Sequence, residues 1–165
     1  LISGLHLVTT RKEGSTSLTV KRHTSASRQR VWDVMADGWT YSQWVVGNSR
    51  MRAVDPDWPA QGSTMRHSIG VWPALLNDST VVLESSPPHE LVLLANGRPF
   101  GKARITLRLF DLEGGGCRIE MVEVAASAPM KWLPDGLALA AAFPRNRECT
   151  WRLAALAERR QDDDE

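Results

Sequence analysis

Asp37-Gly38-Trp39-Thr40-Tyr41-Ser42-Gln43-Trp44-Val45-Val46-Gly47 places three large aromatics within six residues, bracketed by glycines. The aromatic run is too short for a full helix and reads as one or two helical turns. Before it, Val31, Val34 and Met35 repeat at helical spacing with Trp32 at the edge of the stripe. Ser25 or Ser27 is placed to cap that helix, and Gly38 ends it. After it, the chain reads as strand until about Ala126. A chain that sets its aromatics on short helical pieces beside a sheet builds a lined hollow, which suits a lipophilic small molecule.

Leu18, Val20 and Arg22 alternate with Thr19, Lys21 and His23, the period of a half-buried strand. Arg50 to Val54 opens the strand series, and Asp55-Pro56-Asp57-Trp58-Pro59 is a turn. In Ser63 to Val71, the side chains of Met65, His67, Ile69 and Val71 share one face, and Pro73 closes the strand. Asn77-Asp78 is expected to turn into a strand over Thr80 to Glu84, and Pro87-Pro88 turns into Glu90 to Ala95. Ala103, Ile105, Leu107 and Leu109 form the cleanest alternation, and a Gly114-Gly115-Gly116 connection leads to Cys117 through Ala125. Pro144 suits the first position of a closing helix, which carries Cys149, Leu153, Leu156 and Ala157 on one stripe and runs to about Arg160. The class is therefore α+β: an antiparallel sheet of about six or seven strands, two short helices after the first strand and one long C-terminal helix. A strongly curved sheet gripping one helix leaves an internal hydrophobic cavity. Residues 15–160 are expected to form a single ligand-binding domain, with a flexible extension over 1–14 and an acidic tail over 161–165.

Charge narrows the partners. The 20 basic and 19 acidic residues give a net charge of +1, and the basic residues are scattered, so nucleic acid is not expected. Cys117 and Cys149 lack metal-ligand spacing and His6, His23, His67 and His89 lie far apart, so no metal site is expected. Two thiols point to a reducing, cytoplasmic compartment, with one disulfide as the alternative. No apolar run approaches the ~18 residues of a membrane span, and the first residues lack the pattern of a signal peptide, so stable membrane insertion is not expected. A monomer or a homodimer fits equally well. Gly114-Gly115-Gly116 enters a strand and so is no phosphate loop, and Ser85-Ser86 has no local His or Asp partner for a hydrolase.

Three pieces carry a resemblance: Ser27-Arg28-Gln29-Arg30-Val31-Trp32-Asp33-Val34-Met35-Ala36-Asp37 with Trp44 beyond it, Trp58-Pro59-Ala60-Gln61-Gly62-Ser63, and Arg145-Asn146-Arg147-Glu148. Over about residues 16 to 160 the pattern resembles the helix-grip (SRPBCC) superfamily of START domains, birch-pollen-allergen-like proteins and bacterial polyketide cyclases. It looks most like the bacterial polyketide cyclase/dehydrase branch. The resemblance implies a ligand cavity, which in some cyclases carries Arg and Tyr side chains that steer aldol cyclisation and dehydration.

His67 is the sharpest candidate, an imidazole among Met65, Ile69 and Val71, placed for acid/base work or for anchoring a carbonyl. The alternative is a core histidine satisfied by a neighbour. Glu123 shares the inward phase of Ile119 and Met121, where a carboxylate must be paired or protonated; it would orient His67, hold an Arg, or reach water at the rim. Tyr41, the only tyrosine, is the third catalytic candidate. Trp39 and Trp44 are placed to stack on a flat ligand, Asn146 to present an amide at the cavity mouth, and Trp72 and Trp132 to line the entrance, with Met65, Ile69 and Met121 as apolar lining. The leading reading is a cyclase-like enzyme acting on a polyketide without metal or redox cofactor. The alternatives are a non-catalytic carrier or sensor of a lipid, isoprenoid or other hydrophobic ligand, and a chaperone-regulator-like interaction module docking through Pro73-Ala74-Leu75-Leu76.

Overall fold

The computed structural model describes residues 7–12, 15–97, 101–128 and 134–162. The elements run β1 (Leu7–Lys12), β2 (Ser15–Thr24), α1 (Arg28–Ala36), a 3-10 turn (Gly38–Thr40), α2 (Tyr41–Trp44), β3 (Asn48–Val54), β4 (Thr64–Val71), β5 (Ala74–Ser86), β6 (Glu90–Asn96), β7 (Lys102–Asp111), β8 (Cys117–Ala125) and α3 (Asp135–Asp162). The strands form one antiparallel sheet in the order β1-β2-β8-β7-β6-β5-β4-β3, the helix-grip arrangement. Both members of the crossover pair β2–β8 are kept in phase by burial: Val20 lies opposite Met121, and Arg22 opposite Ile119.

One face of this sheet is apolar and covered by α3. Val20, Met65, Leu91, Leu107, Ile119 and Leu153 are all buried. Outward positions carry ion pairs instead, as between Arg104 on β7 and Glu84 on β5 (2.7 Å), which meet across the intervening β6. Ser27 caps α1, its hydroxyl accepting from the Arg30 amide at 3.3 Å. Immediately after α1, Gly38 lies so close to the β3 end that a Cβ there would sit 2.6 Å from Val54 Cγ1. The backbone can therefore turn into the aromatic segment only without a side chain at this position. The Trp58 indole N–H donates to the Met35 carbonyl at 3.2 Å and pins the following turn to α1.

Four expectations need correction. The 1–14 extension is part of the sheet over Leu7–Lys12, where β1 pairs with the otherwise open edge of β2, so the described residues hold eight strands. Pro144 lies inside α3 instead of opening it. The preceding Leu137-Ala138-Leu139-Ala140-Ala141-Ala142 is rich in strong helix formers, and their propensity outweighs the break that a proline invites. At its other end α3 continues to Asp162, taking in the first residues of the acidic tail. Asn77-Asp78 is no turn: both residues pair within β5, opposite Ser68 and His67, and the turn falls at Trp72-Pro73. The polar pair is tolerated there because Asn77 Oδ1 accepts from Ser68 Oγ at 3.1 Å and Asp78 Oδ1 accepts from the Ser79 amide at 2.8 Å.

Leu153 is fully buried where α3 meets the sheet and α1. Leu153→Ala is expected to cost about 2–5 kcal/mol in urea unfolding; a loss below about 1 kcal/mol would mean that α3 is not seated on this core.

Candidate functional site

Two polar groups interrupt the apolar face between the sheet and α3. The first joins α2, β4 and β5. Tyr41, His67 and Thr80 are all buried. His67 Nε2 lies 3.0 Å from Thr80 Oγ1, and the Tyr41 hydroxyl 3.4 Å from the same oxygen. The Tyr41 ring also lies 5.5 Å from the His67 ring and meets Trp44 edge-on at 5.3 Å. Among the described residues, His67 Nδ1 and Trp44 Nε1 are buried without a hydrogen-bond partner.

The direction of this chain follows from counting donors. If Tyr41 donates to Thr80 and Thr80 donates to His67 Nε2, both hydroxyl protons are used. His67 is then the neutral tautomer with its proton on Nδ1. The reverse direction would leave the buried Tyr41 proton without an acceptor, an added cost of about 1–3 kcal/mol. In the arrangement that uses both hydroxyl protons, the two unpartnered atoms are both N–H donors. Burial keeps the imidazole neutral, lowering its pKa below the ordinary value; nearby Asp78 opposes this and Arg52 adds to it. Burial also pushes the Tyr41 phenol up to about 12.

The second group joins β8 to α3. Glu123 Oε2 accepts from Arg145 Nη2 and from Asn146 Nδ2 (2.6 Å), and Arg145 Nε donates to Asn146 Oδ1 at 3.2 Å. Burial opposes the Arg145 charge, yet Glu123 more than offsets this and its pKa is raised. Of the sequence alternatives for Glu123, the structure shows the Arg partner; the hydrogen-bond partner of His67 is Thr80. The two groups are electrostatically linked, since the Tyr41 phenol responds with opposite signs to Arg145 and Glu123. Cys149 is close enough to Tyr41, Arg145 and Glu123 for their charges to act on one another; its Sγ accepts from the Val46 amide at 3.3 Å, and burial raises its pKa. Cys117 and Cys149 are both free thiols.

Met65, Met121 and Trp44 are buried on this face and Ile69 is half-buried. Trp39 and Trp72 are not brought to the group: they are 57% and 81% exposed, Trp72 at the β4–β5 turn. Trp132 lies outside the described residues. Sequence reasoning missed Thr80 and Arg145 as site residues. Thr80 shares the phase of buried Val82, a signal that could have placed it inward. Arg145 directly precedes inward-facing Asn146, but nothing local marks it as a partner of β8. Among the described residues, no three His, Cys, Asp or Glu side chains gather as metal ligands, and no helix is long and apolar enough to cross a membrane.

A separate open groove of about 440 Å³ lies on the outer surface, lined by Arg28, His89, Glu90, Arg108, Phe110 and Asp111 among others. Its charges satisfy one another, as in Arg28–Asp111 at 3.1 Å and Arg108–Glu90 at 2.5 Å. It contains none of the candidate residues.

A family model described as polyketide cyclase / dehydrase and lipid transport matches residues 15–159. The chain belongs to this family. No curated protein matches it. Solved structures share the fold of this cyclase/dehydrase and lipid transport family member at low identity. A Rhodobacter sphaeroides protein is 20% identical with a TM-score of 0.68, over 92% of this chain and 97% of that one. SA2116 from Staphylococcus aureus, a protein of unknown function, is 9% identical with a TM-score of 0.71, over 96% and 98%. The di-domain ARO/CYC StfQ of the steffimycin biosynthetic pathway is 8% identical with a TM-score of 0.70, over 88% of this chain and 51% of that one.

The lowered His67 pKa fixes a sign. The unfolded imidazole takes up its proton near pH 6.5 and the folded one only at lower pH, so stability is lost as pH falls below about 6.5. Wild type is expected to lose more stability than His67→Gln between about pH 6.5 and pH 5, read as urea midpoints. Parallel profiles would show that His67 is not held neutral by burial.

Proposed function

We propose that the protein binds a hydrophobic, carbonyl-bearing small molecule of the polyketide type in a cavity between the sheet and α3, and promotes its aldol cyclisation and dehydration. The observation that carries this reading is the buried His67, tied to Thr80 through Nε2 and unpartnered at Nδ1, with the Tyr41 ring in contact with both it and the equally unpartnered Trp44 indole. Two buried donors favour an oxygen acceptor on the ligand, and a ketone oxygen is one that a polyketide supplies repeatedly.

In this reading, the His67 Nδ1–H and Trp44 Nε1–H bind a substrate carbonyl and hold the negative charge that grows on its oxygen as the neighbouring carbon passes its proton to the Glu123 carboxylate, which returns that proton to the aldol hydroxyl as it leaves as water. A neutral imidazole suits that role, because it donates without first giving up a charge. The Tyr41–Thr80 chain keeps the His67 ring in the required tautomer. Glu123, held by Arg145 and Asn146, provides a fixed charge pair at the α3 side. Trp44, Met65 and Met121 supply apolar contact. The family description supports this class of activity, as does the fold shared with an ARO/CYC protein.

The same description also names lipid transport, which favours a second reading in which His67 only anchors a carried ligand. Native mass spectrometry of protein purified from its own host, with organic extraction, separates the two: a polyketide is expected for the first and a lipid for the second. With a polyketone substrate in hand, His67→Ala is expected to lower kcat by about 100-fold or more while binding changes only a few fold. Unchanged turnover would contradict the catalytic role, and a protein that retains neither ligand nor affinity for an aromatic polyketide would contradict both readings.

A further inference from the structure

The turn between β4 and β5 projects apolar side chains where none is needed for the core. Val71 and Trp72 are each 81% exposed, and Leu75 and Leu76 are exposed beside them. Val71 pairs with Ala74, and Gly70 with Leu75, so these residues form the tip of a two-stranded ribbon that extends past its neighbours. Side chains alternate between the two faces of such a ribbon, so the tip is apolar on both sides. Four side chains on a convex point cannot bury the roughly 800 Å² per partner that a stable dimer needs.

We infer that this tip docks the protein on an anionic lipid bilayer surface. From Gly70 to the turn at Trp72-Pro73 the ribbon advances about 7–10 Å, which matches the depth to which interfacial apolar groups settle among headgroups. Tryptophan is suited to that level by its apolar body and N–H. The charge behind the tip is complementary. Arg50 is exposed on β3, opposite Ser68, and forms no ion pair among the described residues. Arg66 is exposed on β4, its contact with Asp55 a loose 3.8 Å. No Asp or Glu occurs from Trp44 through Val54 or from Trp58 through Asn77. Arg50 stands about four residues behind Trp72 along the ribbon, roughly 13 Å, so its guanidinium reaches phosphate level when the tip is seated.

The tip also lies at the end of the sheet where α3 begins. Glu123 meets Arg145 and Asn146 towards that end, whereas Thr24 meets Glu158 at the other. Docking would therefore turn the α3 N-terminal end, with exposed Leu137, towards the bilayer. The inference stands independently of the ligand reading.

Flotation with vesicles of equal parts phosphatidylcholine and phosphatidylglycerol tests it. Wild type is expected to float with these vesicles, less well with pure phosphatidylcholine, and less well as salt rises. Trp72→Ala combined with Leu75→Asp is expected to lower partitioning more than about tenfold, and Arg50→Gln about fivefold, with circular dichroism and the urea midpoint of both unchanged. Wild type that fails to float overturns the inference, as does a double variant that floats equally well. Concentration-dependent dimerisation abolished by Leu75→Asp would also overturn it, by making the tip an interface between copies.

Discussion

Burial of one face of α3 against the concave side of the sheet holds every other feature in place. The apolar part of that face, Cys149, Leu153, Ala154 and Ala157, supplies the driving force. Three polar contacts then fix where the helix sits: Glu123 with Arg145 and Asn146 near one end, Thr24 with Glu158 at 2.5 Å, and Asp37 with Arg160 at 2.8 Å near the other. The first and last lie about 20 Å apart along the helix. They bind α3 to β8, to β2 and to the end of α1, so the helix can neither slide along the sheet nor roll on it without breaking a buried or half-buried charge contact. The short aromatic helix is caught beneath it, with the Val46 amide bonded to Cys149.

The parts of this architecture visible in the sequence are those governed by local periodicity. The Ala103–Leu109 alternation gives β7 its inward face directly, and the Val31, Val34, Met35 stripe gives α1 its buried side. The same phase argument places His67 and Glu123 inward. What periodicity cannot give is what an inward side chain meets. His67 finds Thr80 because β4 and β5 are in a particular register, and Glu123 finds Arg145 because α3 returns over β8 from far along the chain. Local signals also misled where neighbours overrule them. Pro144 reads as a helix start, yet the alanine-rich residues before it carry the helix through. Asn77-Asp78 reads as a turn, yet cross-strand pairing extends β5 through both. The aromatic segment divides in the same way: Tyr41 and Trp44 enter the core, while Trp39, on the preceding 3-10 turn, faces solvent.

The site itself is a compromise between core and chemistry. A histidine and a tyrosine in an apolar interior would each be costly alone. Thr80 satisfies part of both with one hydroxyl, while His67 Nδ1 and the Trp44 indole nitrogen, on the two residues whose rings contact Tyr41, stay without a partner.

Long-range proton–nitrogen correlation of the His67 side chain, recorded near neutral pH with and without a hydroxyanthraquinone as probe, tests that account most directly. A neutral ring with its proton on Nδ1 is expected, with a shift of that nitrogen and of the Trp44 indole when the probe binds. A ring protonated on Nε2, with neither nitrogen responding to the bound probe, would contradict it.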